Sequence, residues 1–104
     1  MSLFRKRLTE DQKSLSKVLK RICELLNDSE ESDWSPLTPA QVQKNLQRPL
    51  KRLEKGRKLW YWQKLRLSLE FEVTSTLQEI AMANGWHKEY ITLADEFDVL
   101  IDKV

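Results

Sequence analysis

Lys44, Arg48, Lys51 and Lys55 recur at intervals of three and four residues. Arg52, Arg57 and Lys58 fill in around them before the chain reaches Trp60-Tyr61-Trp62. Cations at that spacing share one side of a helix, where they would neutralise phosphates, and exposed aromatic rings beside them could stack on bases. The stretch is therefore a candidate nucleic-acid surface. A plainer account competes with it: a basic helix face that is solvated or paired within the molecule, with the aromatic triplet buried as core. The sequence pI near 8.7 also falls below the strongly basic value expected of a nucleic-acid-binding domain.

The opposite chemistry gathers near the C-terminus. Asp95, Asp98 and Asp102 line up at helical spacing with Ile91, and Glu89 and Glu96 lie close by in sequence. Carboxylates beside an exposed apolar side chain can steer a basic protein into contact and then anchor it. A solvated helix face is again the plain alternative, and the residues lack the loop geometry of a calcium site. The two groups polarise the chain. Residues 39–66 hold nine of the 18 Lys and Arg against Glu54 alone, a net of +8. Residues 67–104 hold eight acids against Lys88 and Lys103, a net of −6, and the first 38 residues balance, so the overall +2 conceals the split. Such asymmetry speaks to partners and association, not to fold.

Other chemistry is scarce. One His and one Cys cannot supply the three or four closely spaced ligands of a Cys/His zinc site. His87, Ser75 and Asp95 include the residue types of a triad, but no nucleophile-elbow pattern accompanies them. Gly56 and Gly85 stand alone, so there is no glycine-rich phosphate loop. Cys23 lies beside an apolar stripe, where a packed thiol is expected. No catalytic residues, cofactor or metal are expected.

The elements that must position these groups are helical. Two glycines and three prolines are too few for a turn-rich β domain. Thr9 and Gln12 make a capping box, followed by Leu15, Val18, Leu19, Ile22, Leu25 and Leu26 at helical spacing, and this helix should end near Asn27 before an acidic loop. Thr38 and Gln41 make a second capping box with Pro39 at the first helical position. Val42, Leu46, Leu50 and Leu53 then form an apolar edge opposite the basic stripe. Pro49 lacks an amide hydrogen, so a kink or break is expected there, and Gly56 is a terminator.

Residues 59–73 leave two readings open. Leu65, Leu67, Leu69, Phe71 and Val73 alternate with polar residues as in a strand, yet no partner strand exists. As a helix, the segment would be apolar on two sides and form the centre of a bundle. Ser75 and Gln78 suggest a third capping box before a short helix carrying Leu77, Ile80, Ala81 and Met82. Asn84-Gly85 ends it with Trp86 folded back. A last helix from about His87 to Lys103 turns Tyr90, Leu93, Ala94, Phe97, Leu100, Ile101 and Val104 to the core.

The stretch FEVTSTLQEIAMANGWHKEYITLADEFD, residues 71–98, resembles the ending of small, uncharacterised bacterial proteins, some of them grouped with toxin-immunity proteins. Their pattern falls on Phe71, Thr74, Leu77-Gln78-Glu79, Ile80-Ala81, Asn84-Gly85-Trp86, Glu89-Tyr90 and Phe97-Asp98. Val73 and Ser75 stand where the family has Pro and Gly, so the turn between them differs. The resemblance implies a binding protein that blocks a toxin.

The expectation is thus an all-α, single-domain bundle of four to five helices over residues 1–104, with no enzymatic activity. Its leading function is contact with another protein through Glu89, Ile91, Asp95, Glu96, Asp98 and Asp102. The alternative is a nucleic-acid-binding accessory protein acting through Lys44, Arg48, Lys51, Arg52, Lys55, Arg57 and Lys58. No apolar run is long enough for a signal peptide or a membrane span, which makes cytoplasmic the default location. Oligomeric state and partner identity stay open.

Overall fold

The computed structural model describes residues 9–30, 37–71 and 76–104. Five α-helices follow one another: α1 (Glu10–Asn27), α2 (Pro39–Glu54), α3 (Tyr61–Glu70), α4 (Thr76–Ala83) and α5 (His87–Leu100), with a 3₁₀ turn at Ile101–Lys103. There is no strand among the described residues. The alternating segment is therefore helical through Glu70, where each backbone amide finds its partner within the helix. Residues 31–36 of the acidic loop, Val73 at the far end of the alternating segment and Ser75 of the third capping box lie outside the described residues.

Local sequence sets both long helices. The Thr9 hydroxyl accepts from the Gln12 amide at 3.0 Å while Gln12 Oε1 accepts from the Thr9 amide at 2.9 Å. Thr38 and Gln41 repeat the arrangement at 3.2 and 2.9 Å, with Pro39 leading α2. Leu15, Val18, Leu19, Ile22 and Leu26 form the buried stripe of α1, and Val42, Leu46, Leu50 and Leu53 that of α2. Each such side chain contributes about 1.5–3 kcal/mol on burial. α1 packs against both α2 and α5, so α1 is the central helix.

One expectation is overturned, and the break foreseen as one outcome at Pro49 does not occur. α3 is peripheral instead of central: Leu67 is its one buried residue, while Trp62, Leu65 and Leu69 are exposed. The core seats are already filled by α1, α2 and α5, and Leu67 with the following Phe71 is all that α3 inserts. α2 runs without a break through Pro49. Pro49 is itself buried, with Leu46, Leu50 and Leu53. Their burial offsets the roughly 3 kcal/mol cost of a proline within a helix.

The C-terminal half has an aromatic core. Phe71 stacks on Phe97, with centroids 4.1 Å apart and planes 4° apart, and Tyr90 lies 6.2 Å from both Phe71 and Trp86. Met82 is exposed, unlike Leu77, Ile80 and Ala81 of the same helix. The NGW motif acts as a clamp. Asn84 accepts the Glu30 amide at 2.8 Å, and its side-chain amide donates to the carbonyls of Glu30 and Ile80, both at 3.0 Å. Gly85, at φ 78°, takes the left-handed turn that lets the Trp86 amide reach the Ala81 carbonyl at 3.0 Å. The buried Trp86 indole donates to Ser29 Oγ at 2.9 Å. Residues 29 and 30 are thereby fastened to the α4–α5 corner.

Because Asn84 serves one donor and two acceptors at this corner, Asn84→Ala should cost about 1–3 kcal/mol, read as a lower urea midpoint at unchanged slope.

Candidate nucleic-acid interface

Burying the Val42-Leu46-Leu50-Leu53 edge of α2 forces its opposite side outward. Lys44, Arg48, Lys51 and Lys55 are accordingly exposed, and Arg52 is half-buried at the flank. Gly56, at φ 72°, ends the helix. Its amide bonds to the Leu53 carbonyl at 3.0 Å and the Arg57 amide to the Arg52 carbonyl at 2.9 Å, the two bonds of a Schellman turn. Only a residue without a β-carbon adopts this backbone conformation freely.

The connector from Gly56 to Trp60 is held in three places. Gln12, already the cap partner of α1, donates from Nε2 to the Arg57 carbonyl at 3.2 Å. Arg52 donates from Nε and Nη2 to the Lys58 carbonyl at 3.1 and 2.8 Å. Leu59 is buried in the core. Gln63 then reaches back from the first turn of α3 to accept the Trp60 amide at 3.1 Å. These contacts fix the backbone from which the first indole projects.

The aromatic triplet lies on the surface, which overturns the expectation that it is core. Trp60, Tyr61 and Trp62 are 63, 70 and 68% exposed. At about 100° per residue, Tyr61, Trp62, Leu65 and Leu69 occupy the side of α3 away from the buried Leu67. The Arg52 guanidinium sits 5.5 Å from the Trp60 ring centroid, a cation–π contact that props up the indole. Tyr61 and Trp62 meet edge to face at 5.3 Å.

Cations and indoles share one open cleft of about 450 Å³, lined by Arg48, Lys51, Arg52, Lys55, Arg57, Trp60, Trp62 and Gln63. Lys44 lies one turn earlier on the same helix face, and Lys58 is exposed on the connector; neither lines the cleft. Glu54, the lone acid of the basic block, is 3.7 Å from Lys20 of α1. Among the described residues, the ion pairs are Lys13–Glu10, Lys20–Glu54, Arg21–Glu24 and Arg21–Glu89. None involves a cation between residues 39 and 66, so the basic block is not neutralised by the acidic one. At the far end of α3, burial pushes the Glu70 carboxyl above the ordinary carboxylate range, and a side-chain hydrogen bond from Asn45 of α2 opposes that rise.

The acidic candidates separate into two groups. Asp95, Glu96, Asp98 and Asp102 are exposed, as is Ile91 at 47%. Asp95 and Glu96 line a shallow cleft with Ser14, Lys17, Val99 and Leu100, and Asp102 falls in the 3₁₀ turn beyond α5. Glu89 is engaged elsewhere: Arg21 of α1 grips it through Nε and through Nη2, the latter at 2.9 Å. The guanidinium holds the Glu89 carboxyl below the usual carboxylate range. Among the described residues, no group of three or more His, Cys, Asp or Glu side chains could hold a metal ion. No helix of the described residues is long and apolar enough to cross a membrane. Burial raises the Cys23 thiol pKa, and His87 occupies the first turn of α5.

The charges were readable from sequence, and the triplet beside them was one of two readings; that its rings face solvent, and that Gln63 joins the cleft, was not. The available signal was quantitative: α3 carries more large apolar residues than one buried position can seat. Comparisons with protein-family models, with curated proteins and with solved structures found no match to this chain.

Since the indoles at 60 and 62 contribute little packing, Trp60→Ser and Trp62→Ser should each change stability by less than about 0.5 kcal/mol. Leu67→Ala on the opposite side of the same helix should cost about 2–5 kcal/mol. Urea denaturation of the three variants distinguishes an exposed triplet from a core one.

Proposed function

We propose that this protein binds nucleic acid through the cleft between α2 and the start of α3, without catalysing a reaction. The observation that carries the proposal is the coincidence, in one concave site, of five cations free of ion pairs and two exposed indoles. Burying such cations against phosphates releases condensed counterions, the main source of sequence-independent affinity. The modest overall pI is no obstacle, because Glu54 is the one acid of the 16 that falls within residues 39–66. A polyanion approaching the cleft meets a local field set by nearby charges, since beyond about 8–10 Å salt screens exposed ones.

A second proposal concerns the other pole. Asp95, Glu96, Asp98 and Asp102 form an unpaired acidic surface that includes the exposed Ile91 and Val99, chemistry suited to a basic protein partner. That is also the role implied by the resemblance of residues 71–98 to toxin-immunity proteins. Glu89 is not counted in this surface, because its carboxylate is occupied by Arg21. The basic cleft is favoured because it adds shape and aromatic rings to charge.

The two proposals predict opposite charge-reversal phenotypes. Changing Lys44, Arg48, Lys51 and Lys55 together to Glu should lower affinity for generic DNA or RNA at least about a hundredfold at moderate salt, measured by fluorescence anisotropy. Unaltered binding would eliminate the cleft as the site. Changing Asp95, Asp98 and Asp102 to Lys should leave nucleic-acid affinity the same or slightly higher. If the acidic surface holds a protein partner, this triple variant should fail to retain a partner recovered with the parent chain, and equal recovery would sink the second proposal.

A further inference from the structure

Trp60 and Trp62 stand in the wall of the cation-lined cleft, not on a separate face. Duplex binding asks little of such rings, because paired bases present their edges and keep their faces stacked on one another. An unpaired strand offers base faces, and every base has one. Trp60 is prepared for that use. Its backbone is fixed by Gln63 and its ring is approached by Arg52, whose guanidinium is itself anchored on the Lys58 carbonyl. Even with that contact, the indole stays 63% exposed. A ring held in place loses little freedom when a base stacks on it, so more of the stacking energy appears as affinity.

The cations sit where the backbone of that strand would run. Arg48, Lys51 and Lys55 line the cleft from successive turns of α2, Arg57 adds a cation from the connector, and the indoles enter it from the start of α3. A single strand can splay its bases to one side and its phosphates to the other, matching a site with rings on one wall and cations on the next. A bilayer is the competing polyanionic surface, and the outward Tyr61, Trp62, Leu65 and Leu69 could enter one. Yet a flat lipid surface offers no base face to the Trp60 ring, which is held by Gln63 and Arg52 within the concave cleft.

We infer that the cleft is a single-strand site, in which bases stack on Trp60 and Trp62 while Arg48, Lys51, Lys55 and Arg57 take the phosphates. The inference rests on the nucleic-acid proposal above and narrows it to unpaired DNA or RNA, recognised without sequence preference.

The test compares a labelled oligo(dT), the matching oligo(rU) and the oligo(dA)·oligo(dT) duplex as ligands for the full chain at one salt concentration. Oligo(dT), oligo(rU) or both should bind at least about tenfold tighter than the duplex and quench indole emission. The two single strands tell DNA from RNA. Trp60→Ala with Trp62→Ala should lose at least about tenfold on the preferred single strand and less than about twofold on the duplex. Phe at both positions should recover most of the loss, because a benzene ring still stacks. Urea midpoints of both double variants close to that of the parent exclude a folding defect as the cause. Equal affinity for strand and duplex, or an Ala variant that binds the strand as the parent does, would overturn the single-strand inference and leave nucleic-acid binding in place. Failure to bind any of the three ligands would overturn the nucleic-acid proposal itself. Co-sedimentation with phosphatidylserine vesicles and no oligonucleotide binding would replace both with a membrane-surface role.

Discussion

The packing of α2 along α1 is the constraint from which the rest of the molecule follows. Helical period allows α2 one buried edge, and Val42, Leu46, Leu50 and Leu53 claim it. Once that edge is against α1, Arg48, Lys51 and Lys55 have nowhere to go but outward. The Schellman turn at Gly56 and the hydrogen bond from Gln12 to Arg57 then deliver the indoles beside them. Gln12 joins cap and cleft directly, because one side-chain amide closes the first turn of α1 and holds the connector. Like charges gathered this way repel one another and work against the fold. The aliphatic seam must offset that repulsion, and a bound polyanion would relieve it.

The other half of the chain is organised on a different principle. Phe71, Trp86, Tyr90 and Phe97 pack ring against ring, and Asn84-Gly85-Trp86 ties the start of the loop after α1 to the α4–α5 corner. The residues behind the family resemblance therefore have structural work that needs no partner: a helix stop, a loop clamp and a buried indole. Of the acidic residues nearby, Glu89 also serves the fold, since its pairing with Arg21 joins α5 to α1. Asp95, Glu96, Asp98 and Asp102 have no such task, and they remain the part of that face available for contact.

What was legible in sequence was whatever depends on neighbours within a few positions. Thr9 with Gln12 and Thr38 with Gln41 announce helix starts because both bonds of a capping box close within one turn. Gly56 and Gly85 announce stops, and the stripes of α1, α2 and α5 announce their buried sides. Period failed where a helix is apolar nearly all round. Nothing local in residues 59–73 says which apolar residues will find a seat, and the usual preference of large rings for the interior pointed the wrong way for Trp60 and Trp62. That outcome depended on core seats that side chains of α1, α2 and α5 occupy. At Pro49 the local cost is visible in sequence, while the burial that keeps α2 unbroken there is not. The basic stripe was read correctly as charge, but its meaning changed when the rings beside it proved to face solvent.

The central claim is that cations of the α2–α3 cleft contact phosphates, and counterion release measures this most directly. The affinity of the full chain for a single-stranded oligonucleotide should be followed across a range of monovalent salt. If four cleft cations each neutralise a phosphate, log K should fall with log salt at a slope of about −3, and the Lys44, Arg48, Lys51 and Lys55 charge reversal should remove most of it. A slope near zero, or one that survives the reversal intact, would contradict the account.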